Sequence, residues 1–231
     1  MQPVRSSVAS RHIERRFTRF IEHPAFPCVG AKSAFAKHQA HFYHGRDICS
    51  GWDDLPLLQE LQRFAQSYRR QPRLFSTFVA IFETPRRLSE EGFEKALWAR
   101  LQSVHDKDVW LSAERDARIS EDPHADNFGL SIGGSGFFVV GLHPRASRKA
   151  RRFEKPAIVF NLHDQFERLR ESGRYEKMRR TILDRDRRWT GSVNPMLARH
   201  GTVSEARQYS GRKVGEEWNC PFAPQERREF A

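Results

Sequence analysis

No stretch of this chain reaches the roughly 18 to 20 consecutive apolar residues that a helix needs to cross a bilayer. The longest apolar runs, such as Phe137 to Leu142, suit single buried strands, so no membrane-spanning helix is expected. Cysteine is scarce. Cys28, Cys49 and Cys220 are the only three, too scattered for a disulfide framework and without the spacing of a metal finger, so a reducing, cytoplasmic setting is the expectation. There is no internal repeat, no low-complexity tract, and no flavin or nicotinamide fingerprint. The opening Met1 to His12 is basic and contains serine, which resembles a transit peptide, but it lacks the apolar region of a secretory signal. Residues 1–10 read as a frayed terminus.

What is present is enough for one core. The 231 residues are 38 % hydrophobic and 12 % aromatic, with 18 Phe, which separates the chain from disordered sequences and fits a single domain. The formal net charge of +11 would draw the protein towards polyanions or an acidic partner without specificity. Arginines are spread through every segment instead of forming a stripe, so a basic nucleic-acid-binding protein is an alternative without a reading motif. No specific nucleic acid and no membrane partner is expected.

Periodicity predicts a helix over 11–22, with Ile13, Phe17, Phe20 and Ile21 on one face. Phe26 to Lys32 reads as a compact turn or loop. Pro56 opens a helix through Ser67, Leu74 to Phe82 reads as a buried strand, and Ser89 with Gly92 begins another helix. Between His105 and Asn127 the chain reads as a long surface excursion able to cover a pocket. Phe128 to Ile132 and Phe137 to Leu142, joined by Gly133-Gly134-Ser135-Gly136, predict a hairpin. Ala157 to Phe160 gives another strand; Asn161 to Asp164 then offers polar caps for a helical arm broken at Gly173, and the chain is loop-like after Trp189. The expected fold class is α+β, a single domain with a mixed or antiparallel sheet, a glycine-turn hairpin and flanking helices.

Several motifs occur in fixed order: FPCVGAK at 26–32, FGLSIGGSGFFVVGLHP at 128–144, SRKARRF at 147–153 and AIVFNLHDQFERLR at 157–170. GSVNPMLARHG at 191–201, SEARQYSGR at 204–212 and WNCPF at 218–222 follow. Together they make the chain resemble the YqcI/YcgG family. The resemblance implies a bacterial, haem-dependent oxidoreductase: a monooxygenase that uses O2 and an external electron donor to hydroxylate a guanidino or amino nitrogen of an arginine-like small molecule.

Such an enzyme holds haem b by an axial ligand on one side of the iron. Cys28 is the first candidate ligand, since Gly30 two positions on lets a loop lie close beneath a macrocycle; His163 and His143 are the alternatives, and Cys220 is a weaker one. Phe26, Phe128 and Phe138 are candidate apolar walls, as are Phe137 and Phe160, with ordinary core packing the other reading. Arg148, Arg152, Arg207 and Arg212 are candidates for the propionates, because guanidinium forks suit carboxylates, and Arg145, Lys149 and Arg151 belong to the same basic cluster. For the substrate's cationic nitrogen, Glu205 is the candidate carboxylate, with Asn194, Asp126 and Asn127 as further polar contacts. A hydrolase or transferase that uses Cys28 as nucleophile with a histidine base is the remaining alternative.

Overall fold

The computed structural model describes residues 8–111, 114–194, 196 and 203–225. The family motif at 191–201 and the terminus at 1–10 therefore lie partly outside the described residues. Helix α1 (Val8–Glu22) already includes positions 8–10, so the fraying expected there does not extend so far. Next come α2 (Val29–Ala36), β1 (Ala40–Asp47), α3 (Asp54–Arg70), β2 (Thr77–Thr84) and α4 (Glu90–Trp110). The hairpin β3 (Leu130–Ile132) and β4 (Ser135–Leu142) is followed by β5 (Ala157–Leu162), α5 (His163–Glu171), α6 (Tyr175–Thr190) and the short α7 (Ala206–Tyr209). No helix among the described residues is long and apolar enough to cross a membrane.

The five strands form one mixed sheet in the order β1-β2-β5-β4-β3. Only β1 and β2 run parallel, joined by the crossover helix α3; all other neighbours are antiparallel. The α+β expectation therefore holds. The hairpin forms where the glycines sit: Gly133 and Gly134 take φ of 56° and 70°, the left-handed pair that a two-residue turn requires.

Strand alternation divides the apolar residues between two faces. Phe78, Ala80 and Phe82 of β2, Phe137 and Val139 of β4, and Ile158, Phe160 and Leu162 of β5 point towards α3 and α4, where Leu57, Leu58, Leu61, Leu97, Trp98 and Leu101 meet them. Val79 and Ile81 of β2 and Leu142 of β4 point the other way, towards Ile13, Phe17, Ile21 and Phe35 of α1 and α2.

Three expectations are corrected. The segment expected to be a loop at 26–32 is helical from Val29, because Cys28 caps α2: its Sγ accepts from the Ala31 amide at 3.4 Å. The helix after β5 is not capped by a polar side chain, for Asn161 lies inside the strand and Leu162 occupies the cap position. The excursion expected from His105 starts only after Trp110, where α4 ends, and its residue Glu114 borders a surface pocket beside Gly133. It is bound to the hairpin, with the Gly136 amide donating to Asp116 at 2.8 Å and the Asp116 amide donating to Ser131 at 3.0 Å, while Ile119 and Phe128 are buried.

Candidate functional site

On the face away from α3 and α4, the sheet and its helices leave a cavity of about 260 Å3, half-enclosed and mostly apolar. This lies just below the range of about 300–1,000 Å3 usual for small-molecule sites. The floor comes from β2, β4 and β5, through Thr77, Phe138, Val140, Val159 and Asn161. Further lining comes from Phe26, Cys28, Gly30 and Phe35, on and just before α2, and from Met178, Ile182 and Leu183 of α6, which packs beside it at Gly30. Polar groups gather at one end: Arg148, Arg151, Asp186, Asn194, Glu205 and Gln208.

The Cys28 sulfur is set at the first turn of α2, where unpaired amides favour negative charge. Burial nonetheless pushes its thiol pKa up, partly offset by the Ala31 and Gly30 amides and by the Arg151 guanidinium. Arg151 itself donates to the main-chain carbonyls of Gly141 (3.0 Å), Gln208 (3.1 Å) and Tyr209 (3.3 Å). Desolvation pulls its pKa down to about 10, against the pull of Cys28 and Asp186. Arg148 is committed to Asp186 at 2.6 Å, and the Asn194 amide donates to the same carboxylate at 2.9 Å. One oxygen of Asp186, Oδ2, thus accepts both bonds.

The predicted site residues separate clearly. Phe26, Cys28, Gly30, Phe138, Arg148, Asn194 and Glu205, from five different segments, converge on the cavity. Phe128, Phe137 and Phe160 are core on the opposite face, packed with Phe64, Trp98 and Tyr209. His143 also faces that way. Its ring stacks on Phe93 with centroids 4.4 Å apart, and burial lowers its pKa to about 4. His163 is buried behind the cavity, its Nε2 3.4 Å from Glu205 Oε2.

Arg152 is exposed and donates to the Ala146 carbonyl at 2.8 Å, Arg207 bonds the Gly215 carbonyl, and Arg212 is paired with Glu94, so none of these reaches the cavity. Cys220 packs against the filled core instead. Asp126 and Asn127 do not line the cavity either. Arg179 of α6, Gln208 of α7 and Asn161 of β5 line it without having been singled out in the sequence. Their side chains carry no distinctive motif; only the helix period of α6 puts Arg179 beside Met178 and Leu183 on the inner face.

The residues present fit an iron macrocycle. A sulfur donor faces an apolar slot, and two arginines stand at its polar end, where carboxylates of such a group would find partners. No group of three or more His, Cys, Asp or Glu that could hold a bare metal ion occurs among the described residues.

The chain belongs to the YqcI/YcgG family, whose model matches residues 17–223. No curated protein and no solved structure matches it.

Proposed function

We propose that this protein is a haem-dependent monooxygenase that hydroxylates a guanidino or amino nitrogen of an arginine-like small molecule, with O2 and electrons from an external donor. The supporting observation is the position of Cys28: its sulfur lies in the apolar wall of the cavity, at the amide end of α2 and beside a guanidinium. Bound there, haem b supplies dioxygen activation, helped by electron density from an anionic sulfur.

The chain's own residues hold and select. Cys28 would hold the iron through its thiolate, with the Ala31 amide and the Arg151 guanidinium favouring the anion. Arg151 and Arg148 would meet the propionates, Arg148 in exchange for its bridge to Asp186, and Phe26, Phe35 and Phe138 would exclude water from the macrocycle. Glu205 receives the substrate cation. It lines the polar end of the cavity.

Less supports the cysteine-nucleophile alternative. A nucleophilic thiol needs a histidine base or a depressed pKa; among the described residues no histidine lines the cavity, and burial moves the Cys28 thiol the other way.

The test is the absorption spectrum of the reduced, carbon-monoxide-treated protein after expression with ample haem. The expected result is a thiolate-type band that Cys28→Ala abolishes, with haem loss or a nitrogen-type spectrum in its place. A colourless parent protein, or a band indifferent to Cys28→Ala, overturns the assignment.

A further inference from the structure

The carboxamides that line the cavity differ in how their hydrogen bonds are spent. Asn161 Oδ1 accepts from the Thr77 hydroxyl at 3.0 Å, Gln165 Nε2 donates to the Ser76 carbonyl at 2.7 Å, and Asn194 Oδ1 accepts from the Met196 amide at 3.0 Å. Gln208 of α7 lines the same cavity at its polar end and is 6 % exposed, yet its side chain has no hydrogen bond among the described residues. Its two polar atoms are not sealed by packing either. The main chain of Gln208 is, by contrast, fully engaged. Its amide donates to the Glu205 carbonyl at 2.9 Å, and its carbonyl accepts from Arg151 at 3.1 Å and from the Gly211 amide at 3.2 Å. The next residues are fixed as well: the Tyr209 hydroxyl donates to the Phe137 carbonyl at 3.1 Å, and the Ser210 hydroxyl donates to Glu94 at 2.9 Å.

A buried carboxamide ordinarily spends its donor and its acceptor on the protein, and leaving both unused costs the protein free energy. An apolar side chain of the same length would occupy the place without that cost, so the fold itself has no use for the amide. We infer that Gln208 is a specificity-determining residue: the fold leaves its carbonyl oxygen to accept an N–H from the nitrogen group of a ligand in the cavity. This rests on the reading of the cavity as the site of a guanidino or amino substrate. The acceptor is presented from a turn whose main chain is already held, so little ordering remains to be done when the ligand arrives. Such an acceptor favours groups that carry N–H over cations that lack it, because with the latter the amide stays buried and unpaired.

The probes are n-butylguanidine and n-butyltrimethylammonium, two cations on the same chain of which only the first carries N–H. Each is titrated calorimetrically into the haem-loaded protein and into Gln208→Met and Gln208→Leu, with haem content and melting temperature measured on every ligand-free sample. Gln208→Met keeps the length of the side chain and removes its hydrogen bonding. It is expected to weaken butylguanidine about tenfold, the order of one hydrogen bond to a charged group, and to leave butyltrimethylammonium unchanged. Its melting temperature is expected to rise by about 2 °C, since an unpaired buried amide has been replaced by an apolar group. Haem content stays at the parent level.

Parent-level butylguanidine binding by Gln208→Met, or an equal loss for both cations, overturns the role of Gln208 and leaves the wider reading of the cavity intact. Haem loss from Gln208→Met overturns it too, because the amide would then serve the macrocycle. A melting temperature below the parent in both Gln208→Met and Gln208→Leu shows that the amide is bonded within the fold and likewise overturns the inference; Gln208→Leu guards against a misfit peculiar to the thioether. No butylguanidine binding by the haem-loaded parent overturns the nitrogen-substrate reading, and the inference falls with it.

Discussion

The two faces of the sheet are made by the same strands, yet one is solid and the other hollow. Towards α3 and α4 the strands send Phe78, Phe82, Phe137, Phe160 and Leu162, and two long helices answer with leucines and Trp98. Towards the remaining helices, around the cavity, they send Thr77, Val140, Val159 and Asn161 beside the one large ring of Phe138. Interiors close to crystal-like density wherever shapes allow it, so a gap of this size records a deficit of side-chain volume on one face. Large residues at alternate positions build the platform; around the cavity the intervening positions are smaller or polar, Phe138 excepted, and leave room for a ligand.

This contrast is most directly tested by truncation on the solid face. Phe160→Ala is expected to lower unfolding stability by about 3–5 kcal/mol in a denaturant titration, because a fully surrounded ring leaves a cavity that cannot collapse. A loss below about 1.5 kcal/mol would mean the face is not solid.

His143 gives a second test of the same face. Its folded-state pKa of about 4 lies below the ordinary 6.5, because burial against Phe93 disfavours the imidazolium. As pH falls, the unfolded chain therefore takes up the proton first. Stability fully present above pH 6.5 is lost progressively down to about pH 4, to the extent of about 2–3 kcal/mol. His143→Phe should flatten this part of the stability profile, and an unchanged slope would show that the imidazole is not shielded there.

The smallest effect is expected on the hollow face. Val159→Ala removes methyl groups that already border empty space, so a cost of only about 1 kcal/mol is expected from the same titration. A cost matching that of Phe160→Ala would erase the difference between the faces. Haem retention should respond in the opposite order, with Val159→Ala altering it and Phe160→Ala affecting it only through stability.

Local chemistry made much of the fold legible. Gly133-Gly134 specified the hairpin turn, and Ser89 specified the start of α4, where its hydroxyl accepts from the Gly92 amide at 3.1 Å. The break at Gly173 separated α5 from α6, and Cys28 was visible as the sulfur of a turn between aromatic residues. The arginines were less legible. Arg148, Arg151 and Arg152 lie within five positions, yet one reaches a buried aspartate, one reaches main-chain carbonyls in the cavity wall, and one is exposed on its own turn.

By itself, then, the amino-acid order determined the hairpin, the helices α1, α3 and α4 and the family the chain resembles, because these depend on contacts a few positions apart; α2 and β1 came only with the structure. Which face each buried residue joins was decided by the tertiary structure. Phe137 and Phe138 are adjacent and equally apolar, but one fills the core and the other floors the cavity. Strand alternation sends the two to opposite faces, and the helices that cover each side decide which ring is fully buried and which borders the cavity.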